Sequence, residues 1–251
     1  MLFSNRQFKP TLFPTLAFLL ILPGLIALGF WQLDRREQKQ ELFALFDQGA
    51  SGEPIRLNAL SQDSSFSLGN RYRAVTARGS YDGERQFLMD NMISNGRVGY
   101  YVLTPFVLEG GSAAVIVNRG WVPQNLDRQN LPDVSVTSGS ETISGRIDKF
   151  LEPGVRLETK DHAGDTDTWP KVVQFPKHEE LQSLLPYGIL GGVVLLDKNA
   201  PRGYKRQWRP AVFGPERHLA YAFQWFALAF TLLVIYIVLN FRKLDKGAKT
   251  Q

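Results

Sequence analysis

Two long runs without a charged residue frame this 251-residue chain, one between Lys9 and Asp34 and one between Arg217 and Arg242. A helix needs about 20 apolar residues to cross the hydrocarbon core of a bilayer, and each run supplies them. The first contains Pro14 and Pro23-Gly24, which predicts a kink. It is longer than the ~7–15-residue core of a signal peptide, and no A-x-A-like cleavage site follows it. It ends in Gly29-Phe30-Trp31-Gln32, an interface-type aromatic followed by polar sequence. It therefore reads as an uncleaved anchor. The second run is rich in Leu, Phe, Val, Ile and Ala and lacks both proline and glycine. The chain divides into a tail over 1–10, a span over 11–33, a domain over 34–217, a second span over 218–241 and a tail over 242–251.

The pattern changes between the anchors. Helical spacing continues past Asp34 through Leu42, Leu45 and Phe46, so the first span is expected to run on as a helix to about Asp47. A loop rich in Ser, Gly, Asn and Asp follows to about Asn70. Strand-like segments come next: Tyr72 to Ala77, Phe87 to Met89, Val98 to Leu108, Ala113 to Val122, Thr142 to Ile147, Lys171 to Phe175 and Ile189 to Leu196. Asp90-Asn91 reads as a turn, Glu109-Gly110-Gly111 as the tip of a hairpin, and Pro105 as an edge or bulge. Glu152 to Pro170 reads as an exposed polar loop, and Pro176 to Leu185 as one short helix. The expected fold is an integral membrane protein whose two transmembrane helices flank a β-rich (α+β) extracytoplasmic domain, an antiparallel sheet or partial barrel.

Charge sets the expected orientation. Arg6 and Lys9 precede the first span, and Arg242, Lys243, Lys246 and Lys249 follow the second against Asp245 alone. The positive-inside rule puts both termini in the cytoplasm. A second basic cluster, Arg202, Lys205, Arg206, Arg209 and Arg217, lies on the opposite side; it reads equally as a contact to lipid headgroups or a partner and as a solvated loop. The net charge of +5 is mild and does not point to nucleic acid.

The chemistry on offer is narrow. The chain has no cysteine, which excludes disulfides, thiolate catalysis, Cys-ligated zinc and iron–sulfur clusters. It has no phosphate-binding loop and no nucleophile elbow, so no enzymatic activity is expected. Of its three histidines, His162 lies among Asp161, Asp165 and Asp167 in a polar tract that reads as a solvated loop rather than a metal site, and His178 reads as a surface histidine. Arg119 interrupts an apolar strand in Asn118-Arg119-Gly120-Trp121; it reads either as a fixed cation for a carboxylate or propionate or as the end of a strand, with the second favoured. His218 opens the second span. With Tyr221, Ala222, Trp225, Ala229, Leu232 and Tyr236 it shares one helix face. A histidine nitrogen can hold a haem iron, but spacing alone favours a histidine in an interfacial aromatic belt.

Four motifs in order carry a resemblance over almost the whole chain. They are Leu28-Gly29-Phe30-Trp31-Gln32-Leu33 with Arg35 and Lys39; Gly96, Gly99-Tyr100 and Thr104-Pro105; Val117-Asn118-Arg119-Gly120-Trp121-Val122-Pro123; and His218, Tyr221-Ala222 and Gln224-Trp225-Phe226. In these the sequence resembles the Surfeit locus protein 1 family, membrane proteins involved in the assembly of haem–copper cytochrome c oxidase. The resemblance implies an assembly factor that binds haem a and assists its insertion into the catalytic subunit of the oxidase. His218 would be the haem ligand, the sole metal contact; Tyr221 and Trp225, from the shared helix face, and Arg119, from the strand motif, are the further candidates for the cofactor site. Family members often carry Asn just before this histidine, where this chain has Glu216-Arg217. The haem a synthesis machinery and membrane lipid are further expected partners. No Arg/Ser-rich transit extension precedes the first span, so the expected location is a bacterial plasma (inner) membrane, multi-pass, with the domain in the periplasm. A non-haem membrane scaffold, whose aromatic and small-residue stripe would meet the oxidase subunit, is the alternative.

Overall fold

The computed structural model describes residues 6–49, 51–60, 71–111, 113–151, 168–210 and 214–243. In chain order its elements are β1 (Arg6–Phe8), α1 (Leu12–Gln48), β2 (Ile55–Arg56), a 3-10 turn (Leu57–Ala59), β3 (Ala74–Tyr81), β4 (Phe87–Ser94), β5 (Arg97–Leu108), β6 (Ala113–Pro123), β7 (Glu141–Asp148), β8 (Lys171–Val173), α2 (His178–Leu184), β9 (Gly188–Leu196), α3 (Pro215–Asn240) and β10 (Phe241–Lys243). They form two compact units, Met1–Phe43 with Ala211–Gln251, and Ala44–Pro210. The aspartates around His162 and most of the tract from Glu152 lie outside the described residues, as does much of the loop before Asn70.

In the first unit α1 and α3 are both long and apolar enough to cross a membrane. α1 continues through Pro23 without a break. Between Leu12 and Gln32, its shielded positions are Thr15, Phe18, Leu22, Leu25, Gly29 and Gln32; those of α3 include His218, Ala222, Trp225, Ala229, Leu232, Tyr236 and Asn240. Steps of three and four alternate along the α1 row and along the α3 row as far as Tyr236, the 3.5-residue repeat of a left-handed helix seam. The helices run antiparallel, so the start of α1 meets the end of α3. There the Lys9 N–H donates to the Asn240 carbonyl (2.8 Å), and the Thr11 N–H to Asn240 Oδ1 (3.2 Å). Thr15 Oγ1 lies 2.9 Å from Tyr236 Oη, Phe18 stacks on the Tyr236 ring, and β1 pairs antiparallel with β10. In hydrocarbon a polar side chain must find its partners inside the protein, and the buried Asn240 finds them in the opposite chain end and in its own helix. Asn240→Leu is expected to weaken this clamp by about 1 kcal/mol. The amides of Lys9 and Thr11 should then exchange with solvent measurably faster, while barrel amides keep their rates.

The second unit is built on a closed barrel. Around it the strands run β3-β7-β9-β6-β5 and back to β3. All contacts are antiparallel except β6 with β9, which are parallel. Numbered 1 to 5 along the chain, the barrel strands follow the order 1-2-3-5-4-1, the five-stranded Greek-key arrangement of an OB-type barrel. β4 adds to β5 outside the closed circuit, β8 to β4 and β2 to β3. Alternation along the strands packs Val75, Ala77, Tyr81, Phe106, Val115, Val117, Ile143, Ile147, Val194 and Leu196 into one cluster. Residues from the opposite faces, among them Phe87, Leu103, Ile116 and Leu195, pack in a second cluster with Leu181 of α2. β6 therefore contributes to both clusters, which is why Ala113 to Val117 reads as an unbroken apolar run.

Two local expectations change. Asp90-Asn91 is no turn. β4 runs through it with an irregularity between Met89 and Met92, where Asn91 adopts φ 60° and Asp90 Oδ1 accepts the Asn91 N–H. The reversal comes at Asn95-Gly96, both at positive φ (50° and 75°), as a two-residue hairpin turn demands. Pro105 is on a central strand, not an edge. β5 pairs with β4 up to Leu103 and with β3 from Phe106, while the Pro105 carbonyl accepts the Asp82 N–H just beyond β3. A strand residue's N–H and C=O point the same way, so the donor that proline lacks would have faced the junction between β4 and β3, where no ladder bond is lost.

Candidate functional site

Gly214 and Pro215 start α3, with proline in the first turn, where its missing N–H costs nothing. One turn later His218 is half-buried, its Nδ1 2.8 Å from Oε1 of Gln32 on α1. Nδ1 can take part in that bond only as donor, because the amide oxygen has no proton to give. In the neutral ring Nε2 is then the nitrogen with the free lone pair, and it has no partner among the described residues. Gln32 is buried, although it stands where the apolar stretch of α1 gives way to charged residues.

The close approach of the helices here depends on small residues. Gly29 is one turn before Gln32, and a Cβ on it would fall 2.5 Å from the Phe226 ring. Ala222 and Ala229 are buried on the facing side of α3, the small-residue packing expected where membrane helices meet. Of the aromatic residues expected beside His218, Trp225 is half-buried on the seam, and Tyr221 is about half exposed beside it. Most of the stripe read from the sequence is thus covered by the chain's own α1, and Tyr221 is the member that faces outward.

Arg119 belongs to the barrel unit. Alternation along β6 sends it inward after Val115 and Val117. Its Nε donates to the Arg202 carbonyl (2.9 Å), and its Nη1 donates to Gln86 Oε1 (3.0 Å) and the Val134 carbonyl (3.0 Å). Thr104 Oγ1 donates to the same Gln86 oxygen. The guanidinium also lies against the rings of Tyr81 and Tyr204, 5.5 and 5.0 Å from their centroids. Burial lowers the affinity of Arg119 for its proton, opposed by the two tyrosines. The rest of its motif holds the geometry. The Asn118 side chain accepts the Gly120 N–H, Gly120 sits at φ 116° against the Lys205 backbone, and Trp121 Nε1 donates to the Met92 carbonyl.

Beside Arg119, burial pushes the Tyr81 hydroxyl up to about 12, with Arg119 pulling the other way. Below pH 10 the folded and unfolded states both keep this proton. Between 10 and 12 the unfolded chain releases it while the barrel retains it, so stability falls as pH rises through that window. In denaturant melts from pH 9 to 12, wild type should lose more stability than Tyr81→Phe. Parallel losses would contradict the shift.

His178 is not the surface histidine expected from its sequence. It is half-buried at the start of α2, its Nε2 3.1 Å from the Ile189 carbonyl. Gln32 was missed because a single amide after an aromatic reads as the polar end of a span. The usable signal was its pairing with a histidine at the matching end of the second span, since consecutive spans run antiparallel.

Comparison with known proteins fits this arrangement of two spans and an intervening domain. The SURF1 family model matches residues 19–230, from the first span to the second. The chain belongs to the SURF1 family. A SURF1-like protein of Monosiga brevicollis is 24% identical over 85% of this chain and 82% of its own length. One from Rickettsia felis is 26% identical over 85% and 91%. The yeast protein named cytochrome oxidase assembly protein SHY1 is 21% identical over 88% of this chain and 73% of its own. Surfeit locus protein 1 of Arabidopsis thaliana is 33% identical, but over only 43% of this chain and 33% of the plant protein.

Proposed function

We propose that this SURF1-family chain is an assembly factor for haem–copper cytochrome c oxidase that holds haem a as cargo at His218 and assists its insertion into the catalytic subunit. The observation that carries the reading is the His218 ring, with Nδ1 tied to Gln32 and Nε2 without a partner among the described residues, at the end of the apolar stretches of α1 and α3. The donor set fits haem: one neutral imidazole nitrogen for the iron, with Trp225 and the exposed Tyr221 as flat neighbours on the same helix. The name of the yeast relative supports the oxidase as client. Arg119 is left out of the proposed site, because its Nε and Nη1 donors bind Arg202, Gln86 and Val134 within the barrel.

In this reading the protein performs no catalysis of its own. α1 and α3 span a bacterial plasma membrane with both basic tails in the cytoplasm and the barrel in the periplasm. The haem a synthesis machinery supplies the cargo and the catalytic subunit receives it. The chain's residues bind and orient: His218 presents Nε2, the seam of α1 and α3 fixes the ring, and surrounding apolar side chains exclude water. The scaffold alternative loses the surface first expected for it, since α1 covers the small-residue stripe, and a partner helix would have to use the outward face around Tyr221 and Phe223.

The test is complementation in a haem-a-producing bacterium from which the gene has been deleted. Wild type should restore the haem a content of the purified oxidase. His218→Ala, present at equal level in the membrane, should leave it at a tenth or less. Full restoration by the variant would remove the histidine from the account.

A further inference from the structure

We infer that Gln32 is the positioning residue of His218: by accepting the Nδ1 proton it fixes the ring tautomer and leaves Nε2 as the bare nitrogen presented to a ligand. The inference deepens the haem reading above and rests on it only for what Nε2 would meet.

Three observations converge. Gln32 Oε1 and His218 Nδ1 are 2.8 Å apart although 186 positions separate them in the chain. Gln32 is buried where the apolar stretch of α1 ends, and a buried amide without a partner is costly, so the bond is favoured over its absence. Gly29, one turn earlier, has no room for a side chain against Phe226, so the helix axes are held close enough for the amide to reach. A neutral histidine in water divides its proton between two nitrogens. A carbonyl oxygen fixed opposite Nδ1 places it there, and the free lone pair is then on Nε2. Metal-bound histidines are oriented in the same manner by a second partner on the other ring nitrogen, and loss of that partner typically weakens metal binding by about 10–100-fold.

The chain has three histidines, so protein labelled with 15N only at histidine gives a spectrum simple enough to assign by substitution. In the full-length protein in mild detergent, His218 should show a protonated Nδ1 and a bare Nε2. Gln32→Leu, which suits an apolar helix, should shift the proton toward Nε2 and weaken binding of added haem a by about 10–100-fold. At a pH that keeps the ring neutral, Gln32→Glu keeps an oxygen at the same reach and should restore the wild-type nitrogen pattern. An unchanged His218 pattern in Gln32→Leu would overturn the inference. A pattern that changes as expected in a protein that binds no haem a, wild type included, would support the positioning of the ring and overturn the haem reading instead.

Discussion

Arg119→Met is expected to destabilise the barrel measurably. The substitution leaves the Gln86 amide oxygen and the Val134 and Arg202 carbonyls without the guanidinium that now binds them. Thr104 Oγ1 still donates to Gln86 Oε1 and Gln86 Nε2 to the Val134 carbonyl, so of the three only the Arg202 carbonyl loses its one partner among the described residues. A buried acceptor left unpaired costs about 1–3 kcal/mol. Taking a guanidinium out of the interior returns part of that, since burying the charge is itself unfavourable. The net loss is therefore about 1–3 kcal/mol, against a total of roughly 5–15 kcal/mol for a typical domain. Arg119→Lys separates the two contributions. It keeps a buried charge but cannot reproduce a planar fork that reaches Arg202 on one side and Gln86 with Val134 on the other. It should be at least as destabilising as methionine. Gln86→Leu combined with Arg119→Met removes one donor–acceptor pair together and should cost less than the sum of the single changes. Denaturant melts of wild type, Arg119→Met, Arg119→Lys, Gln86→Leu and the double variant decide the matter, and a lysine variant as stable as wild type would show that the fork is dispensable.

Gly29→Leu should separate the two membrane helices. Its Cβ alone would lie 2.5, 2.6 and 2.9 Å from three atoms of the Phe226 ring, and that ring is backed edge-to-face by Phe30. Overpacking of this kind costs about 1–3 kcal/mol even where neighbours can move, and here either the ring must turn out or the helices must part. Either response opens the Gln32–His218 bond one turn away. Gly29→Leu should therefore lose the His218 nitrogen pattern and haem a binding together, although neither His218 nor Gln32 is altered. Phe226→Ala in the same chain makes room and should restore both. If the double variant stays defective, the glycine matters for some other reason than space against Phe226.

What could be read from the sequence follows from the range of the forces involved. A span is a one-dimensional property, a charge-free run of sufficient length, so both were visible. So were β6, whose residues serve both hydrophobic clusters, and the Glu109-Gly110-Gly111 hairpin, because the signals are continuous in sequence. What stayed hidden is set by partners far along the chain. Arg119 meets Gln86, Thr104, Val134 and Arg202, drawn from strands and loops that only barrel closure brings together, so its interior role could not be told from an anion-binding one. Asn240 meets Lys9 and Thr11 at the opposite end of the chain. His178 looked exposed because its acceptor, Ile189, belongs to another element. Asp90-Asn91 failed as a turn because the same residues that end strands also form bulges within them, and the stronger Asn95-Gly96 signal lay four residues further on. At the candidate site His218 was legible as an ionisable residue at the end of a span. Its orientation was not, since that depends on Gln32.

The most direct test of the central claim is the optical spectrum of the protein purified in mild detergent from cells that make haem a, wild type beside His218→Ala. The account predicts a haem a spectrum in the wild type that is lost in the variant while the protein remains folded. A haem a spectrum of equal intensity in both would place the ligand elsewhere, and its absence from the wild type would contradict haem binding and leave the helix pair as a scaffold.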